Sequence, residues 1–169
     1  MATKNAPLVY WDTNIWLSLL KGEKLPGDDR ERVLEAARRV DRNEQMLLVS
    51  QPIRAEIFSF RLPDEAKSQF NLLLRSRAVQ WKDMGPIAYE IRDELLAFYS
   101  KDSGFTKPLS QKDADHLAIA IHYSVSEFYT FDDGGKDGFS LLDLSGVLAE
   151  RYTLAICKPP LPQQTSLDL

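Results

Sequence analysis

Apolar residues cluster along the chain in two alternating rhythms. Short runs of four or five read as strands, and longer stretches with apolar positions three or four apart read as helices. Leu8-Val9-Tyr10-Trp11 opens as a strand, and Ile15, Trp16, Leu19 and Leu20 follow at helical spacing. Lys21 to Gly27 reads as a loop, and Asp28 to Arg42 as a polar helix burying Val33, Leu34, Ala37 and Val40. Met46 to Val49 is a second strand. Pro52 suits the first turn of a helix carrying Ile53, Glu56, Ile57 and Phe60, which Pro63 ends. A helix from Asp64 to about Arg75, a strand at Ala78 to Trp81 and a long helix from about Pro86 to Tyr99 come next. After a loop at Gly104 to Pro108, the pattern predicts a helix from Gln111 to Tyr123, a strand at Glu127 to Thr130, a Gly-rich loop at Asp132 to Gly138 and a last strand near Thr153 to Cys157.

Strands alternating with helices predict a three-layer α/β/α domain with a mostly parallel central sheet. In such sheets ligands gather outside the carboxyl ends of the strands. With 169 residues, one domain over residues 1–159 is expected, followed by a flexible Pro- and Gln-rich tail over 160–169. No segment approaches the roughly 20 apolar residues of a membrane span, and no leader is evident, so the expectation is a cytoplasmic protein that meets no membrane. Cys157 is the only cysteine and there are two histidines, which excludes an internal disulfide and a cysteine-rich zinc site. Cys157 itself reads as a packed side chain in a late strand.

The formal charge of −4 carries little weight against a nucleic-acid partner, because it says nothing about distribution. Arg30, Arg32, Arg38, Arg39 and Arg42 read first as a solvated helix face paired with Asp28, Asp29, Glu31 and Glu35.

Four acids stand in unusual places. Asp12 sits where a strand hands over to a helix, a position that suits helix capping. Asp132 ends a strand that a parallel sheet brings to the same edge, although an acid beside glycine also makes turns. Glu56 lies within an apolar helical stripe, where a carboxylate needs a partner that Arg54 cannot supply from the same face. Asp113 can form a capping box with Ser110, yet its spacing to Leu117 and Ala120 turns it inward. Asp115 points to a flank and is the weaker candidate; His116 and His122 read as surface or packing residues. Carboxylates gathered at one strand edge repel one another unless a cation joins them, and all-oxygen donors select Mg²⁺ or Mn²⁺.

The strand followed by DTN, the glutamate in PIRAEIF, the helix start KDADHLAIA and the strand followed by TFD resemble, in order and spacing, the PIN-domain ribonucleases. In overall layout the chain looks like the VapC-type toxins of bacterial toxin–antitoxin pairs, over Leu8 to about Pro159. The resemblance implies a PIN-like fold and a Mg²⁺-dependent endoribonuclease whose catalytic, metal-holding residues are Asp12, Glu56, Asp113 and Asp132. It also implies supporting roles for Asn14 and Thr130, and favours Asp113 over Asp115. The loop after Asp132 is longer and more acidic than the family's, so Asp133 or Asp137 could replace or supplement Asp132. Arg54, Lys107 and Lys112 are the substrate-binding candidates nearest the acids in sequence. RNA is the implied substrate and a small antitoxin the implied partner, with a homodimer as another use of surplus apolar residues among Phe58, Phe60, Phe70 and Leu73.

A haloacid-dehalogenase-like phosphatase expects a second acid where Asn14 stands, and a receiver domain needs a late lysine that Lys136 is poorly placed to supply. The serious rival is a PIN fold that binds RNA or protein without cleaving.

Overall fold

A computed structural model describes residues 6–104, 107–135 and 139–163. Asp137 and Lys136, and the tail from residue 164, lie outside the described residues. Six strands, β1 (Leu8–Trp11), β2 (Met46–Ser50), β3 (Val79–Lys82), β4 (Glu127–Tyr129), β5 (Gly146–Leu148) and β6 (Tyr152–Cys157), form one sheet in the order β3-β2-β1-β4-β6-β5. Every neighbouring pair is parallel except β5 and β6. Helices α1 (Thr13–Lys21), α2 (Asp29–Asp41), α3 (Gln51–Ser59), α4 (Asp64–Leu73), α5 (Pro86–Phe98) and α6 (Gln111–His122) flank the sheet. None of them is long and apolar enough to cross a membrane.

The central strand β1 is buried on both faces, which is why its sequence reads as a continuous apolar run. On one side Trp11 meets Trp16 of α1, which packs edge-on against Phe70 of α4, each ring pair 5.0 Å apart. On the other, Tyr10 stacks on Phe128 of β4. Phe70 is therefore wholly core, and the surplus apolar surface expected of it belongs to Phe58, Phe60 and Leu72.

The helix starts follow local chemistry. Asp12 accepts from the Thr13 amide at 2.7 Å and caps α1, which Gly22 ends in the left-handed conformation. Ser50 caps α3, with Pro52 in its first turn. Ser110 accepts from the Asp113 amide, which caps α6, and its hydroxyl donates to the Asp113 carboxyl at 2.6 Å, in place of the backbone amide that the expected box would use.

The sequence pattern contains no sign of β5, and the reason is its turn. Ala149 and Glu150 both have positive φ, and the Arg151 amide donates to the Leu148 carbonyl, making a type I′ hairpin turn. Such turns are ordinarily marked by Asn-Gly or Asp-Gly, and Ala-Glu carries no such mark.

Candidate metal and nuclease site

β1 and β4 are parallel neighbours, with Trp11 level with Tyr129, so the residues that follow them emerge together at the carboxyl edge. There Asp12, Glu56, Asp113 and Asp132 line a single cleft of about 500 Å³, together with Asn14, Lys112, His116 and Asp133 and the apolar Leu17, Phe60 and Phe131. The four acids come from four separate stretches: the β1–α1 seam, α3, α6 and the loop after β4.

Each acid has its own protein donors. Asp12 Oδ1 takes the Thr13 amide, while Oδ2 takes the Thr130 hydroxyl at 2.7 Å and the Asn14 side-chain amide at 3.1 Å. Thr130 is fully buried, and its oxygen also accepts from Asn14 and from the Asp132 amide. Asp132 in turn accepts from the Gly134 amide, the Asx-turn geometry expected of an acid beside glycine. Glu56 accepts from the Thr13 hydroxyl at 2.7 Å and contacts His116 Nε2 at 2.9 Å. Its partners are thus a threonine and a histidine, both from other elements, where Arg54 on its own helix could not serve.

Burial pushes the Asp12 carboxyl up; His116, Thr130 and Thr13 oppose this and Asp113 adds to it. Asp113 is likewise raised, first by burial and then by Asp132 and Glu56, against the Ser110 hydrogen bond. Glu56 goes the other way: burial raises it, but the hydrogen bond and charge of His116, with Thr13 and Lys112, bring it below the usual value. Among the described residues, no three carboxylate, imidazole or thiol groups already converge as a finished metal shell. Two raised, half- to fully buried carboxyls beside two further acids nonetheless form a hard-oxygen donor set suited to Mg²⁺ or Mn²⁺ rather than zinc.

His116 is the site residue that sequence reasoning passed over. It is 1% exposed and bridges the cleft to the core, with Nδ1 2.7 Å from the Tyr10 hydroxyl, which itself lies 2.7 Å from the Ser50 hydroxyl. The available signal was its place three residues after Asp113 on one helix face. Asp115 lies outside the cleft and faces Arg92 at 3.7 Å. Its carboxyl is raised by burial, with Arg92 opposing. Lys112 lines the cleft, whereas Lys107 is an exposed loop residue away from the lining and Arg54 lines a different pocket.

The fold is shared with solved structures of low sequence identity. VapC20 of Mycobacterium tuberculosis, a toxin that cleaves the sarcin–ricin loop, superposes with a TM-score of 0.55 at 17% identity, covering 74% of this chain and 90% of VapC20. FitAcB of Neisseria gonorrhoeae gives 0.58 at 18% identity over 89% of this chain and 97% of its own. VapBC2 of Rickettsia felis, solved on a DNA fragment from its promoter, gives 0.52 at 15% identity over 73% and 86%. No curated protein matches at the level of sequence. The PIN domain sequence model, however, matches residues 9–137, a span that includes all four cleft acids, and the chain belongs to the PIN domain family.

Proposed function

We propose that this chain is a Mg²⁺- or Mn²⁺-dependent endoribonuclease, acting as the toxin of a toxin–antitoxin pair. One observation carries the reading: four acids distant in sequence line one cleft at the carboxyl edge of the sheet, with Lys112 among them. A binding module gains nothing from burying carboxyls that raise one another. Asp12, Glu56, Asp113 and Asp132 would hold the cation, which when bound supplies Lewis-acid polarisation of a phosphate oxygen. Thr130, Asn14 and Thr13 fix the Asp12 carboxylate, and His116 with Thr13 fixes Glu56, so the ligands need little reorganisation. Lys112 offsets phosphate charge, and Leu17, Phe60 and Phe131 limit water at the mouth.

Similarity to VapC20, a cleaving toxin, supports the class of reaction, and the family resemblance supports an antitoxin partner. The apolar groove of about 550 Å³ between α1, α2 and α4, lined by Leu19, Leu20, Leu72 and Leu73, suits an amphipathic segment of that partner. A lysine or arginine from the segment would reach the acids.

The test is cleavage of a mixed RNA pool by protein free of contaminating nuclease. Wild type should cleave with Mg²⁺ and stop with chelator, and Asp12→Asn and Asp113→Asn should each lose about a hundredfold or more. Full activity in both variants, or RNA binding without cleavage by wild type, overturns the catalytic reading. Expression alone should arrest growth and co-expression with a small adjacent gene should relieve it; harmless expression of an active enzyme removes the toxin role.

A further inference from the structure

Arg54 and Glu56 stand two positions apart on α3, which places them about 200° apart around the helix axis. Glu56 enters the cleft. Arg54 lies on the opposite flank, where with Gln51, Ala55, Phe58, Trp81 and Asp83 it lines a second pocket of about 640 Å³. Its guanidinium carbon is 5.7 Å from the Phe58 ring centroid and 5.9 Å from that of Trp81. Both rings are 40% exposed, a large solvent-facing aromatic surface beside a cation. Among the described residues no acid forms an ion pair with Arg54. Asp83, in the same pocket, instead accepts from the Trp81 indole at 3.2 Å.

We propose that this pocket seats one base of the single-stranded RNA substrate, a reading that rests on the nuclease function above. Exposed ring faces together with an unpaired guanidinium match the two things every nucleotide offers, a π-face and an adjoining phosphate. Arg54 serves both, stacking through its plane and neutralising charge. Asp83 offers an acceptor to a base amino group. An apolar protein segment finds its complement in the Leu72 and Leu73 groove instead.

The placement also fits. Trp81 is level with Val49 and Lys82 with Ser50, so the pocket stands at the same carboxyl edge from which Asp12 emerges. The pocket and the cleft share α3 as a wall, each lined by different residues of that helix, whose diameter with side chains is about 10–12 Å. A strand crossing α3 would therefore place the stacked base a few nucleotides from the scissile bond.

Trp11 and Trp16 are buried, so of the three tryptophans Trp81 is the one a bound base can stack on and quench by contact. The full chain carrying Asp113→Asn should show quenching when titrated with single-stranded RNA of about ten nucleotides. Arg54→Met in that background should weaken the affinity about tenfold. In the active enzyme, Trp81→Ala should raise KM about tenfold on the same RNA with kcat kept, and circular dichroism should report an intact fold. Cleavage by wild type with no quenching and an unchanged KM in Trp81→Ala overturns the subsite while leaving the nuclease reading intact. Loss of self-association in Trp81→Ala with RNA affinity unchanged also overturns it, assigning the pocket to a protein contact. Absence of cleavage by wild type, with quenching that Arg54→Met abolishes, supports the subsite and removes only the catalytic reading.

Discussion

Tyr10→Phe isolates the hydrogen-bond chain beneath the cleft. The ring is fully buried and stacked on Phe128 at 5.3 Å, so phenylalanine keeps the packing and removes one hydroxyl. That hydroxyl lies 2.7 Å from both Ser50 Oγ and His116 Nδ1. With His116 Nε2 2.9 Å from Glu56, these contacts link Ser50, Tyr10, His116 and Glu56 in one unbroken chain. Without the hydroxyl, Nδ1 loses its partner at a site that is 1% exposed, and Ser50 keeps only its long contact with the Ile53 amide at 3.5 Å. A buried polar atom left without a partner costs about 1–3 kcal/mol, and the partial compensation at Ser50 suggests about 2 kcal/mol in all. For a chain of this size that is a fall in Tm of about 4–8 °C, readable by calorimetry. Because the imidazole that contacts Glu56 is then less firmly oriented, Mn²⁺ affinity at the proposed site should weaken about tenfold by titration calorimetry. A Tm within about 1 °C of wild type would show that the chain does not support the fold. Strict additivity of Tyr10→Phe with Ser50→Ala would show that the two hydroxyls are not coupled.

Asp113→Asn should raise Tm by about 2–4 °C alongside its loss of the proposed activity, because burial, Asp132 and Glu56 all disfavour the charge it deletes; a lowered Tm refutes this. Glu35 is buried on α2 beneath Arg39 and Arg42, each at 3.1 Å, and Arg38 at 3.8 Å. Burial raises its carboxyl, but the Arg39 hydrogen bond and the three guanidinium charges outweigh that and bring it below the usual value. Its contribution is therefore present above the unfolded pKa, near 4.5, and lost as pH falls through the depressed folded value. In urea titrations Glu35→Gln should destabilise at pH 7 and much less at pH 3, and an equal loss at both refutes the assignment. The Cys157 thiol is pushed up to about 11, first by burial and then by Glu127, so alkylation by iodoacetamide at pH 8 should run roughly a thousandfold below its thiolate limit. A rate that saturates below pH 9 contradicts it.

Much of this fold was legible because its strands and helices carry their own punctuation. Asp12, Ser50 and Ser110 each cap the helix that follows, and the runs they interrupt change period at those residues. The β5–β6 hairpin was hidden because Ala149 and Glu150 hold positive φ without the usual residue types. The partner of Glu56 was hidden for a different reason. An imidazole sixty residues away closes the contact, and periodicity shows that a side chain points inward without showing what it meets. Arg54 is the instructive misplacement. Proximity in sequence suggested the acidic cleft, whereas the helical angle between Arg54 and Glu56 puts it on the other flank, an inference the sequence already permitted.

Asp12 resolves the apparent choice between capping residue and functional acid. A carboxylate offers about four lone-pair positions, and the Thr13 amide, the Asn14 side chain and the Thr130 hydroxyl take three of them. The cap thus leaves acceptor capacity at a group that lines the cleft. Its donors also hold the charged form against a burial that leaves only 6% of the residue exposed and against the field of Asp113. Removing the cap would let the carboxylate rotate, and the unopposed desolvation would favour its neutral form, which is a poor ligand for a hard cation. Capping and the proposed ligation are therefore compatible uses of one side chain: helix α1 is started by the same hydrogen bonds that orient Asp12 and oppose the upward push of burial on its carboxyl.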